Sequence, residues 1–348
     1  MTTTMLRDVL HDELDTLPVP AGDLAGVRRR GRRIRGARWA AAGAATVLVV
    51  GSVVAVSRLG GGGGDDRGIE PVGPLDYSHG LRAYADFAIE VDLGGRTFPW
   101  KDFEALDTDA AATPAGIVYY DHGVPLMLDS SGTSRELEPG AEEGKFSPTA
   151  KADSVQPWVA FGALLDGTPT VVVTDTDTGE EVARRVVGKD TVIDALDDGV
   201  VMLRTDAGTV AWDVTDGSVA QVGGGPDTRV ADLRGGTLLY DGTRPDGPAA
   251  APYDLVKGAI DAQLTLDGRH VLYWSPILKS ATGGDPIRLG LPRKAGWFTV
   301  DTDGSILAAA STRQGATIYD CPVSGAPCDE LGDIKALHGD PMFIGNDM

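Results

Sequence analysis

The 348 residues are long enough for one large domain or two medium ones, and a formal net charge of −20 spreads very unevenly along them. Residues 1–58 carry nine Lys/Arg against five Asp/Glu, whereas the remainder carries 22 against 46. So acidic a remainder repels phosphate backbones, which argues against nucleic-acid binding, and 47 glycines with 21 prolines argue against a helical protein in favour of short strands and tight turns.

The first segment, 1–38, reads as a basic tail. Leu6, Val9, Leu10, Leu14 and Leu17 recur every three or four residues, with Asp8, Asp12, Glu13 and Asp15 between them. The pattern predicts a short amphipathic helix ended by Pro18 and Pro20. Seven arginines follow between Arg28 and Arg38.

Trp39 to Ser57 is a run of 19 residues without a charge. At 1.5 Å per residue, about 20 apolar residues cross a hydrocarbon core of about 30 Å. The run therefore predicts a transmembrane helix over 39–57, with Trp39 at the interface. The arginine cluster precedes the span, and Arg58 is followed by Gly60 to Gly64 and Asp65-Asp66. The positive-inside rule then places residues 1–38 in the cytoplasm and everything after the span outside. A cleaved signal peptide fits less well: 38 residues precede the apolar run and no small-x-small cleavage site follows it. Beside an apolar span, the arginines suit orientation and contact with anionic lipid. Residues 58–80, with their glycine run, read as a flexible linker.

From residue 81 to 348 the sequence predicts an all-β domain with an internal period. Apolar cores begin at Ile117, Val159, Val200, Leu238, Val271 and Ile306, in steps of 42, 41, 38, 33 and 35 residues. Four of them follow a tight turn: Asp198-Gly199, Gly235-Gly236, Asp267-Gly268 and Asp303-Gly304. Glycine accepts positive φ without steric cost, and aspartate bonds its own backbone, so such pairs mark hairpins. In the third unit, strands are predicted over 191–196, 200–205, 209–214 and 218–222. Four short strands every 33–42 residues predict β-propeller blades, six copies from about Leu106 onward. Residues 81–100 either close the ring or form a partial extra blade, so five to seven blades stay open. Arg244 to Pro252 reads as a loop inserted into the fourth unit.

Leu264-Thr265-Leu266-Asp267-Gly268-Arg269-His270-Val271-Leu272-Tyr273-Trp274 resembles the TolB/WD40-like propeller repeat, in which an Asp-Gly turn leads into an apolar strand. The Gly-His…Trp-Asp combination that marks true WD40 repeats is absent. The whole layout is similar to membrane-anchored propeller proteins of high-GC Gram-positive bacteria. That resemblance implies a binding or sensing role outside the cytoplasm and transfers no catalytic residue.

Cys321 and Cys328 flank a predicted turn, where an oxidising location permits a structural disulfide. Two cysteines without a nearby histidine make a poor zinc site. Zinc-type anti-sigma factors carry His-x3-Cys-x2-Cys in the cytoplasmic part. This tail has His11 and no cysteine, which leaves a non-zinc regulator open. Asp175-Thr176-Asp177-Thr178-Gly179 lacks the EF-hand spacing and reads as an Asp-rich turn. No nucleophile elbow, Walker loop or His-Glu-x-x-His is present, and no cofactor is implied. Trp158, Trp212, Trp274 and Trp297 are expected to pack between blades. The leading expectation is a binding module for a protein or envelope ligand; signalling through the tail and a propeller hydrolase or lyase are the alternatives.

Overall fold

The computed structural model describes residues 81–86, 90–99, 110–129, 131–144, 146, 149–225, 227–313, 315–334 and 342–344. The expected tail, transmembrane helix and linker lie outside the described residues. Among those residues every regular element is a strand, and no helix is long and apolar enough to cross a membrane.

The strands form seven sheets. The first joins β1 (Tyr84–Asp86), β2 (Glu90–Leu93) and β3 (Arg96–Pro99) to β27 (Met342–Phe343). The second holds β4 (Ala111–Thr113), β5 (Gly116–Asp121), β6 (Val124–Asp129) and β7 (Ser134–Glu136). The third holds β8 (Lys151–Ala152), β9 (Trp158–Leu165), β10 (Thr168–Asp175) and β11 (Glu181–Val186). The fourth holds β12 (Val192–Asp197), β13 (Val200–Thr205), β14 (Gly208–Asp213) and β15 (Val219–Gly224), matching the four strands predicted there within two residues. The fifth has β16 (Thr228–Arg234), β17 (Thr237–Gly242) and β18 (Asp254–Lys257). The sixth holds β19 (Gln263–Leu264), β20 (His270–Leu272), β21 (Ile277–Ser280) and β22 (Ile287–Arg288). The seventh holds β23 (Trp297–Val300), β24 (Ile306–Ser311), β25 (Ala316–Cys321) and β26 (Asp329–Ile334).

Seven apolar clusters lie between successive sheets. Leu93 meets Ile117 and Tyr119; Val118 meets Phe161; Val171 meets Leu203; Met202 meets Leu238. Leu239 then meets Val271, Leu272 meets Phe298, and Leu307 meets Tyr84 and Phe343, back at the first sheet. Seven sheets joined by seven cores make a closed ring, a β-propeller. The six predicted repeats each yield a sheet. The additional sheet, the first, comes from residues 81–100, the stretch left open between closing element and extra blade, and it is closed by β27.

The six apolar cores found by period are the second strands of their sheets: β5, β9, β13, β17, β20 and β24. Each is covered by a neighbouring sheet on either face, so Val159, Ala160 and Phe161 are all fully buried in succession. That sandwiching gives a continuous apolar run instead of alternation. Outer strands face water, as in Glu181–Val186, where no residue is fully buried. Asp198 and Gly199 both take positive φ (49° and 77°), the geometry of a two-residue hairpin whose twist matches its strands.

The fifth sheet departs from the rest. β18 pairs with β17 in parallel, because the expected inserted loop carries the chain across before it rejoins the sheet. That loop is held by the preceding sheet: the Gly247 and Ala249 amides donate to the Val222 and Gln221 carbonyls of β15 at 2.8 and 2.9 Å. Cys321 and Cys328 are disulfide-bonded across the turn from β25 to β26, as expected. So short a loop contributes on the order of 2 kcal/mol in the chain-entropy view.

Candidate functional site

The first strands of the sheets line a central cavity of about 320 Å³. Residues of β4, β8, β12, β16, β19 and β23 face it, with Ile344 from the closing sheet. Its charged lining is six aspartates (Asp153, Asp177, Asp194, Asp232, Asp261, Asp301) against Lys151 and Arg234.

Acceptors on and next to this lining form two tiers of bonds between neighbouring sheets. In the middle tier, an acceptor on one first strand takes a backbone N–H from the next. Asp194 Oδ2 accepts from Val230 N at 3.3 Å, and Asp232 Oδ2 accepts from Leu264 N at 2.8 Å. Gln263 Oε1 accepts from Val300 N at 3.0 Å and from Thr299 Oγ1 at 3.2 Å. In the second tier, a carboxylate near the end of a first strand grips the turn or segment entering the next sheet's second strand. Asp153 accepts from Asp198 N at 3.1 Å and Gly199 N at 2.8 Å. Asp197 accepts from Gly235 N at 3.0 Å. Asp301 accepts from Leu81 N at 3.1 Å and Arg82 N at 3.1 Å, and so ties the seventh sheet to the first. Asp198 and Arg82 are both non-glycine residues at positive φ, 49° and 51°. In each, successive amides converge on one carboxylate, a small anion cradle.

Arg234 bridges three sheets. Its Nε lies 3.3 Å from Asp232 Oδ1, and its Nη1 donates to the Ala152 carbonyl at 3.1 Å and stands 4.0 Å from Asp197 Oδ1. Asp194 is paired with Arg204 at 3.1 Å.

Burial decides the ionisation of the three most enclosed carboxyls. It pushes Asp194 up to about 6 despite the Arg204 guanidinium. Burial likewise pushes Asp197 up to about 7, with the Asp153 and Asp232 charges adding to it and Arg234 and Ser154 opposing. Asp301 rises to about 6, again chiefly through burial. On the cavity lining, Ser154 Oγ donates to Asp197.

At one mouth, the β18–β19 connection places Ile260 and Asp261 on the lining, and Trp274 of the β20–β21 connection reaches Asp261. The Trp274 indole Nε1 donates to Asp261 Oδ2. Ile260 and Trp274 are each 41% exposed. Next to them, Lys279 Nζ stands 4.5 Å from the centre of the Tyr273 ring.

One sequence expectation changes here. Trp212 is buried among the cores, and Trp158 and Trp297 pack against them, but Trp274 lies at the surface beside the cavity mouth. Asp301 stands at the start of the turn that contains the expected Asp303-Gly304 pair, and it also holds the first sheet. Asp175 behaves as expected: its Oδ1 accepts from Asp177 N at 3.0 Å and Thr178 N at 2.9 Å within its own turn. Period reading missed the middle tier. The signal was present as Asp194, Asp232 and Gln263, each one or two residues ahead of a buried leucine on a first strand. Among the described residues, no group of His, Cys, Asp and Glu has the arrangement to hold a metal ion.

No protein-family model matches the chain, and no curated protein does. Solved structures do. TolB from Acinetobacter baumannii aligns at 12% identity and TM-score 0.38, over 75% of this chain and 64% of that one. The β-propeller domain of the Trilobed protease from Pyrococcus furiosus, described as having an open velcro topology, aligns at 11% identity and TM-score 0.43, over 70% and 86%. The Pyrococcus horikoshii acylaminoacyl peptidase aligns at 11% and 0.43, over 71% of this chain and 48% of that one. The chain thus spans less than two thirds of the TolB and peptidase lengths. These likenesses are of architecture; the propeller assignment rests on the seven sheets and their cores.

Proposed function

We propose that the chain is a membrane-anchored propeller that binds a protein or envelope ligand outside the cytoplasm, at the central cavity and its mouth. In this reading residues 39–57 hold it in the membrane, the arginines of 28–38 rest against anionic lipid, and residues 58–80 give it reach. One observation carries the binding role. The buried carboxylates of the cavity accept backbone N–H groups from the neighbouring sheet, so they serve the ring and are poorly placed to exchange protons with a substrate. What remains for a ligand is a preformed concave surface with a net negative lining and an exposed apolar rim.

One specific pair favours hydrolysis as a second reading. Ser154 faces the cavity, its hydroxyl bonded to Asp197, whose proton affinity sits near neutrality. Against it, the same carboxylate is engaged by Gly235 N, and no histidine lines the cavity among the described residues.

In-cell crosslinking of the full-length protein with mass spectrometry, beside a version lacking residues 1–25, tests the proposal. Extracytoplasmic partners retained on truncation are expected. A cytoplasmic partner lost on truncation would make the protein a transmembrane regulator instead. A fluorophosphonate adduct on Ser154 would decide for hydrolysis.

A further inference from the structure

The mouth of the cavity on the sixth sheet is built unlike the rest of the surface. Among the described residues, the exposed large apolar side chains are Val186, Ile260 and Trp274. Val186 stands alone on the outer strand β11, whereas Ile260 and Trp274 come from two connections of one sheet and meet at Asp261. An indole left 41% exposed keeps much of its apolar surface in water, a cost that a ligand covering it would remove. Here the ring is also held in place, because its N–H is bonded to the Asp261 carboxylate and the two connections are tied together. A side chain fixed before binding loses little entropy on binding.

The charge beside this apolar rim is mainly negative, with Lys279 over Tyr273 as the neighbouring cation. Asp261 stands on the lining next to Ile260, and five further aspartates face the cavity beyond it, against Lys151 and Arg234. Arg234 is already committed to Asp232 and to the Ala152 carbonyl. A cation over an indole face gains from the ring quadrupole, and the neighbouring carboxylate adds to the attraction. Tyr273 and Lys279 show the same chemistry within the chain, 4.5 Å apart.

We infer that the Ile260–Asp261–Trp274 rim docks an exposed polypeptide segment that presents a lysine or arginine beside an aliphatic residue. The cationic group lies against Trp274 and Asp261 and points into the acidic cavity, and the aliphatic side chain covers Ile260. This rests on the binding-module reading and adds the chemistry of the ligand.

A phage-displayed library of short linear peptides, selected on the full-length protein, tests it. Selected peptides should be enriched in a basic residue next to an aliphatic one. Their affinity should fall about tenfold with Trp274→Ala and with Asp261→Asn, and should stay unchanged with Val186→Ser. Asp261→Asn keeps an acceptor for the indole, so it removes charge without releasing the loop. Selected peptides that lack basic residues, or that bind both rim variants like wild type, would overturn the inference while leaving the binding-module reading in place. Selection of no peptide, with Trp274-dependent retention of a cell-wall glycan, would also overturn it and assign the rim to a saccharide.

Discussion

Replacing Phe343 by alanine is expected to cost about 3–5 kcal/mol of stability, the range for truncating a well-buried aromatic. The residue sits in β27, which pairs with β1 through two positions, Tyr84 with Phe343 and Ala85 with Met342. Phe343 is 3% exposed and packs in the cluster that joins the seventh sheet to the first, with Tyr84, Leu307 and Ile318. Two backbone pairs alone hold a strand poorly; the buried ring supplies most of the closure. Ile344 follows at 4% exposure on the other side of the same sheet, in the cluster with Leu81 and Leu93. Chemical denaturation of wild type and variant gives the number. A loss below about 1 kcal/mol, the range of an ordinary surface change, would mean that β27 does not close the ring.

Lowering the pH from about 8 to about 5 is expected to stabilise the domain, and Asp197→Asn should remove part of that gain. Burial raises Asp197 to about 7, and Asp194 and Asp301 to about 6, from an ordinary 3.8. The folded protein therefore binds these protons more tightly than the unfolded chain does. The stability they confer is fully present below the unfolded value and is lost as pH rises through 6 to 7. The size is on the order of a few kcal/mol, since each tenfold change in proton affinity is worth about 1.4 kcal/mol. The acidic surface pushes the same way, because protonating it relieves self-repulsion. Asp197→Asn separates the two. Asparagine can still accept from Gly235 N and donate to Ser154, but carries no charge to desolvate. The variant should be more stable than wild type at pH 8, and its advantage should shrink as the pH falls to 5. A variant destabilised equally at both would show that the ionised carboxylate is a net stabilising clamp.

How far the sequence spoke depended on how much of each element's environment is written into its own residues. The second strands were legible, since burial on both faces leaves Ile117–Tyr120 or Val200–Leu203 as unbroken apolar runs. Of the first strands, β12 alone was read, as 191–196. β8 and β19 have two residues each, and their Lys151 and Gln263 are chosen for the cavity and for bonds to the next sheet. Those bonds run between residues 32 to 37 positions apart, as from Asp194 to Val230, so no local pattern carries them. The extra sheet was half visible: β2 and β3 lie within the flagged 81–100 stretch, but β27 is too short to announce itself. The parallel pairing of β18 was equally hidden, although the loop that causes it, 244–252, stood out by its prolines and glycine. Trp274 misled because an aromatic abutting an apolar strand reads as core, whereas it lies in the β20–β21 connection, bonded to Asp261 of another connection.

The two outward faces of the ring also explain why the cavity, and not the outer edges, is the place to look for a ligand. Outer strands such as β7 and β11 carry charged, exposed residues that keep edge pairing in check. Among the described residues, the cavity mouth is where apolar exposure and a concave acidic lining coincide.

The most direct measurement is site-specific photocrosslinking in cells, with benzoylphenylalanine at Ile260 and, as comparison, at Val186. Both positions are exposed, 41% and 68%, but one borders the cavity and the other the outer edge. A discrete adduct from position 260 and none from 186 is expected if the cavity mouth is the binding site. Adducts from 186 with none from 260 would contradict that account and move the binding surface to the rim of the blades.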